Sequence, residues 1–161
     1  MGILDQKIAL ITGATRGIGY GIANKFAEEG AHIAFTYRAS VEKAQALEEH
    51  LQQHGIQAKG YQSDAADYSA AESLINAITK DFGGLEVVVN NAGVTRDNLL
   101  MRMNEEQWDE VISTNLKSLF NISKFAVKPL VKSKKGAFVH ISSIVGQQGN
   151  AGQANYAASK A

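Results

Sequence analysis

Short apolar runs alternate along this chain with longer stretches in which apolar residues return every three or four positions. The first run, Lys7–Thr12 (KIALIT), is apolar and β-branched without alternation, as expected of a strand covered on both faces. Ile18, Ile22, Ala23, Phe26 and Ala27 then recur at helical spacing until Gly30. Ala31–Tyr37 predicts a second strand, Val41 to Leu51 a helix closed by Gly55, and Gln57–Gln62 a weaker strand. Ser69-Ala-Ala-Glu72 reads as a capping box opening a helix with Leu74, Ile75 and Ile78 on one face, ended by Gly83-Gly84. Leu85–Val89 predicts the fourth strand. Asn104-Glu-Glu-Gln107 opens the longest helix, whose apolar face runs through Trp108, Val111, Ile112, Leu116 and Leu119 up to Pro129. Ala137–Ile141 predicts the fifth strand.

A strand–helix rhythm sustained from the start predicts an α/β fold: a Rossmann-like, doubly wound parallel sheet with helices on both faces. No linker or repeat interrupts it, so residues 1–161 read as one nucleotide-binding domain. Ligands of such sheets bind beyond the carboxyl ends of the strands.

Composition narrows the chemistry. The 161 residues contain no cysteine, which excludes disulfides, thiolate catalysis and cysteine-based metal sites, and suggests a reducing compartment. The N-terminus (MGILDQKIALITG) shows no signal-peptide cleavage pattern, and no apolar run is long enough to cross a bilayer. A cytoplasmic protein without membrane contact is the expectation. Net charge is zero, yet residues 1–110 hold all 16 acids and nine of the 16 bases, while residues 111–161 hold seven lysines and no acid. Five of these are Lys124, Lys128, Lys132, Lys134 and Lys135, which form either a solvated helix end or a docking patch for an acidic partner. Nucleic acid is not expected, since no aromatics interleave with the lysines. His50 and His54 have i, i+4 spacing but no evident third ligand, so no metal is expected. His140 reads as a packed or solvent-facing strand residue, and Trp108 as core.

Thr12-Gly-Ala-Thr-Arg-Gly-Ile-Gly19 joins the first strand to its helix. Gly13, Gly17 and Gly19 permit a tight turn and close backbone approach to a pyrophosphate, which the helix N-terminus would face. The spacing is G-x-x-x-G-x-G, and no Gly-Lys-Ser/Thr follows, so it is not a P-loop. Thr15, Arg16 and Ile18 complete the candidate cofactor loop. After the second strand, where an NAD enzyme usually carries an acid for the ribose 2′-hydroxyl, stands Thr36-Tyr37-Arg38. Arginine binds a 2′-phosphate that a carboxylate would repel. Arg38 and Arg16 therefore point to NADP(H), against the plainer reading of two surface arginines. Asp64, after the third strand, either accepts from an adenine amino group or caps a turn. Asn90-Asn91-Ala92-Gly93 follows the fourth strand with small residues that let backbone pass close to a ligand.

Tyr156 and Lys160 are spaced i, i+4 and would share one side of a helix. A phenol titrates near pH ~10, and a neighbouring ammonium would bring it closer to neutrality, making the pair a candidate proton donor to a carbonyl oxygen. Ser142-Ser143 ends the fifth strand, where the crevice should be. Asn115 interrupts the apolar face of the long helix, as a structural hydrogen-bonder to the neighbouring strand or as part of a site.

The motif series Thr12-Gly-x-x-x-Gly-Ile-Gly19, Asn90-Asn-Ala-Gly93, Asn115, Ser143 and Tyr156-x-x-x-Lys160 resembles that of the short-chain dehydrogenases/reductases in order and spacing, from about Lys7 to Lys160. The resemblance implies that Tyr156 is the general acid in reduction. It implies that Lys160 binds the nicotinamide ribose and lowers the tyrosine pKa, and that Ser143 holds the substrate carbonyl. Asn115 would anchor a water linking Lys160 to solvent. Within that family, Val94–Met103 and Gly149–Lys160 are most similar to 3-oxoacyl-acyl-carrier-protein reductases of fatty-acid synthesis. This implies NADPH-dependent reduction of a β-keto thioester to a (3R)-hydroxyacyl thioester, with an acidic acyl carrier protein as partner and a homotetramer as assembly. The lysines around Lys134 would then be its docking site. Another reductase of the family, acting on a CoA thioester, sugar or steroid ketone, is the alternative, as is a silent nucleotide-binding fragment.

Family members continue past the position of Lys160 with further strands, so this chain is expected to be part of a longer enzyme. Its fifth strand should form a sheet edge, and 161 residues alone should be unstable and inactive.

Overall fold

A computed structural model describes residues 2–161. Five strands, β1 (Ile8–Ile11), β2 (His32–Tyr37), β3 (Ala58–Gln62), β4 (Val87–Asn90) and β5 (Ala137–His140), form one parallel sheet in the order β3-β2-β1-β4-β5. The chain winds outward from β1 to β3 and then returns to β4 on the other side of β1. The point of reversal therefore lies between β1 and β4, where a crevice opens at the strands' carboxyl ends.

Neighbouring strand residues face opposite sides of the sheet, which explains the apolar runs without alternation. Ala9, Ile11, Ile33, Phe35 and Val89 pack on one side with Ala23 and Ala27 of α1 (Gly17–Glu28) and Leu47 and Leu51 of α2 (Val41–Gln52). Leu10, Ala34 and Val88 pack on the other with Leu74, Ile75 and Ile78 of α3 (Tyr68–Phe82) and, farther along the chain, with Ile122, Ala126 and Leu130.

The structure corrects several expectations. α3 opens at Asp67, whose side chain accepts from the Ala70 amide, not at a Ser69 capping box; Ser69 Oγ donates to that same carboxylate. Asp67 sits one residue outside the first helical turn and ionises fully, so it wins the cap. The Asn104–Gln107 box is present and opens α4 (Glu105–Ile112). The long helix is not continuous in character. One π turn, Ser113–Lys117, separates α4 from α5 (Ser118–Ser133), and α5 runs on through Pro129. Trp108 is 39% exposed and not core. Ile18 is also exposed, although the helical spacing placed it on the buried face. Two short helices follow β5: α6 (Ile144–Gln148) and α7 (Ala154–Lys160). β5 pairs only with β4 and is a sheet edge with three of its four residues exposed, as expected. No helix among the described residues is long and apolar enough to cross a membrane.

Candidate active site

The turn after β1 is held by two threonines. Thr12 is buried at the end of β1, and its hydroxyl accepts from the amides of Asn91 (3.0 Å) and Ala92 (2.9 Å), joining β1 to the segment after β4. Asn91 returns the contact, its Nδ2 donating to the carbonyls of Thr12 and Gly13. From β2, Thr36 Oγ1 accepts from the Gly13 amide at 3.0 Å. Gly13 and Gly17 both adopt positive φ, +67° and +59°, conformations that L side chains rarely take. Gly19 has a different task. It is buried against Asn91 and lets α1 approach the Asn91 segment closely.

Beside this turn lies a groove of about 660 Å³. Gly13, Thr15, Arg16, Gly17, Ile18, Arg38, Asp64, Asn91, Ala92 and Gly93 line it. These are the predicted cofactor residues except Gly19, Tyr156 and Lys160. Arg16 is the N-cap of α1 and provides no side-chain cap, so the first amides of that helix are left to a ligand. A Cβ at Gly17 would meet nothing within 4 Å, so the space beside it is open. The groove thus has the shape and donors that a dinucleotide requires. Arg38 is exposed at its far end, 3.7 Å from Asp64, whose other oxygen accepts from the Ala66 amide. The turn-capping role of Asp64 is therefore realised.

Sequence reasoning missed Lys43 and Arg96, which join Arg16 and Arg38 as cations in the groove wall, and Thr36, which shapes its floor. A lysine in the first turn of α2 gave no motif signal. Thr36 stood at the expected strand end but was overshadowed by Arg38.

A second, smaller cavity of about 100 Å³ lies across Ala92 and is lined by Thr12, Asn90, Asn115, Ser142, Ser159 and Lys160 among others. Tyr156 and Lys160 share α7 as their spacing predicts. The Lys160 ammonium donates to the Ile141 carbonyl at 2.7 Å, and burial holds it below the usual lysine pKa. Asn115 sits in the π turn, buried, its side chain engaged with the backbone of Val94 on both sides (Val94 N to Oδ1 2.8 Å, Nδ2 to Val94 O 3.0 Å) and with Ser159 Oγ. It therefore binds the loop after β4 and not a strand. The Ser143 hydroxyl caps α6 by accepting from Val145 N, while Ser142 Oγ donates to the Lys160 carbonyl. Asn115 and Lys160 thus meet in one cavity, and Ser143 and Tyr156 lie outside its lining. His140 contacts Asn90 at 3.1 Å and is exposed. Among the described residues no group of three His, Cys, Asp or Glu could hold a metal ion.

Residues 7–161 match the short chain dehydrogenase family. The chain belongs to this family. A short-chain dehydrogenase from Burkholderia cenocepacia, solved in complex with NADP, superposes with a TM-score of 0.93 at 35% identity, covering 98% of this chain and 64% of that one. Among curated short-chain dehydrogenases, the 3-oxoacyl-acyl-carrier-protein reductase of Staphylococcus aureus is 48% identical over 155 residues, 96% of this chain and 63% of that protein. The Escherichia coli K12 enzyme of the same name is 46% identical over 157 residues, 98% of this chain and 63% of that protein. The chain spans about 63% of the length of these curated relatives.

Proposed function

We propose that residues 1–161 form the nucleotide-binding and proton-donating domain of an NADPH-dependent reductase. It converts a 3-oxoacyl-acyl-carrier-protein to the (3R)-hydroxyacyl thioester in fatty-acid synthesis. The observation that carries the reading is the groove at the switch point between β1 and β4, lined by ten of the residues that the sequence marks for cofactor binding. The names of the 46–48% identical relatives supply the substrate class.

In this reading the free amides at the start of α1 and the glycine turn receive the pyrophosphate. Arg16, Arg38 and Lys43 would hold the 2′-phosphate, which a purely apolar or acidic wall would not favour. NADPH, once bound, supplies the hydride to the substrate's C3 carbonyl carbon. Tyr156 gives the proton to the carbonyl oxygen, and the Ser143 hydroxyl, which only accepts in its capping bond from the Val145 amide, donates to that same oxygen. Lys160, with its ammonium partly desolvated, binds the nicotinamide ribose and stabilises the phenolate left on Tyr156. Asn115 keeps the Val94 loop beside Ser159 and so supports the site's proton path through Lys160.

The acidic carrier protein is the partner, supported by the five exposed lysines Lys124, Lys128, Lys132, Lys134 and Lys135, which take part in no ion pair among the described residues. We propose a cytoplasmic homotetramer as the assembly; the apolar side chains left exposed on α5, such as Val127 and Val131, support burial of that face against another copy.

The test is NADPH oxidation, followed by absorbance, with acetoacetyl-acyl-carrier-protein and acetoacetyl-CoA side by side. Turnover preferring the carrier-protein thioester supports the reading. Equal or better use of the CoA thioester moves the assignment to another reductase of the family.

A further inference from the structure

Asn155 stands immediately before Tyr156 and is completely buried. Its Nδ2 donates to the carbonyls of Arg96 and Gln107, both at 3.0 Å, while its Oδ1 accepts from the Tyr156 amide at 2.8 Å. One side chain therefore ties three pieces of chain: the loop after β4, the helix α4 and the helix that carries the catalytic pair. A buried amide with all these contacts made is a rigid joint, and one left without them costs more than it would in water. The loop it holds is itself over-determined. Arg96 forks onto Glu110 of α4 with two 2.6 Å bonds, and Val94 is clasped by Asn115. Val94 and Arg96 are also part of the nucleotide groove's wall.

The two ends of α7 are secured by different means. Its C-terminal end is pinned through Ser159 to Asn115, through the Lys160 ammonium to Ile141, and through the Lys160 carbonyl to Ser142. Its N-terminal half has Asn155 as the one buried side-chain tie; the neighbouring bond from Gln153 to Asp97 is exposed. Accepting the reductase reading above, we infer that Asn155 is a positioning residue that sets where Tyr156 stands relative to the nucleotide groove. Without it α7 pivots about its pinned end: Lys160 keeps its place and Tyr156 does not. Displacement of a proton donor by about 1 Å is enough to cost roughly 10²-fold in rate.

The experiment compares Asn155→Ala with the unaltered full chain in three measurements. These are kcat for a 3-oxoacyl thioester, the NADPH dissociation constant by fluorescence, and hydrogen exchange of the 154–158 amides. The expected result is a roughly 10²-fold fall in kcat, an NADPH affinity within about twofold of the parent, and exchange in 154–158 at least about tenfold faster, with β1 and β4 unchanged. A kcat within about threefold, a parallel loss of NADPH affinity, or unchanged exchange in that segment would overturn the inference. Should Asn155→Ala not fold, Asn155→Ser, which restores one donor, takes its place with an intermediate loss expected. Should the unaltered full-length enzyme bind NADPH yet reduce no 3-oxoacyl thioester, the reductase reading fails. The exchange and affinity data alone then decide the positioning role.

Discussion

Gly19 stands so close to Asn91 that a Cβ added there would lie 2.5 Å from the asparagine Nδ2 and 2.7 Å from the Gly13 carbonyl. Asn91 cannot yield, because the same nitrogen already donates to Thr12 and Gly13. Gly19→Ala is expected to destabilise the fold by ~1–3 kcal/mol and to weaken NADPH binding at least about tenfold, because the glycine turn must shift. Gly21, two residues farther along α1, has no neighbour within 4 Å of an added Cβ. Gly21→Ala should therefore stabilise by ~0.5–1 kcal/mol. Urea unfolding of the two variants, with opposite signs, checks both.

Thr12 offers a sharper probe of the same junction. Its hydroxyl satisfies two partly buried amides. Thr12→Val keeps the shape and leaves both unpaired, so a loss of at least ~2 kcal/mol is expected, whereas Thr12→Ser should recover most of it. An equal stability for the valine and serine variants would remove the hydroxyl from the account.

Arg38 lies 3.7 Å from Asp64 with both side chains half exposed or more. Such a pair contributes little to stability, within ~0.5 kcal/mol, so the guanidinium remains available to a phosphate. Arg38→Ala should lower NADPH affinity by about 10–100-fold, leave NADH affinity nearly unchanged, and leave the unfolding midpoint where it was. Titrations with both nucleotides at low and high salt measure this. Equal losses for NADPH and NADH would show that Arg38 does not meet the 2′-phosphate.

Much of the architecture was legible because it rests on patterns that short segments declare for themselves. Ile8–Ile11 and Val87–Asn90 announce doubly covered strands, and Gly13, Gly17 and Asn91 announce their crevice. What stayed hidden depends on contacts made across the fold. Asp67 and Ser69 are both good caps, and only the three-dimensional path of the chain selects Asp67. The π turn at Asn115 places its amide against Val94, a residue 21 positions away. Asn155 stands inside the Gly149–Lys160 stretch, but nothing in that stretch reveals its partners, which lie 48 and 59 residues earlier. Ser143 and Tyr156, obvious as a motif pair, do not meet in the cavity that holds Asn115 and Lys160.

The acid limb of stability should trace to Asp81 and Asp67, together with Glu29, whose carboxyl the Lys25 ammonium holds below the usual value. The Lys59 ammonium, and after it the Tyr61 hydroxyl, hold Asp81 below the usual carboxylate value. The Ala70 amide, and after it the Ser69 hydroxyl, do the same for Asp67. Folded values below unfolded ones mean that the folded state releases these protons more readily. Their contribution is thus complete above about pH 4, the unfolded carboxylate value, and fades as pH falls through the folded values. Asp81→Asn should flatten that limb of a pH–stability curve without changing its slope near neutrality. An unchanged acid limb in Asp81→Asn and Asp67→Asn together would trace acid sensitivity to other groups.

The π turn at Ser113–Lys117 acts on its helix as a dislocation acts on a crystal. One surplus residue rotates everything after it by about 100°. The stripe that seats Val111 is therefore not the stripe that seats Ile122, Ala126 and Leu130 against α3 and the sheet. The phase slip lets a polar amide sit in the seam between two hydrophobic contacts without displacing either. Removing one residue from the turn would restore an unbroken spiral and turn the packed stripe of α5 away from the sheet.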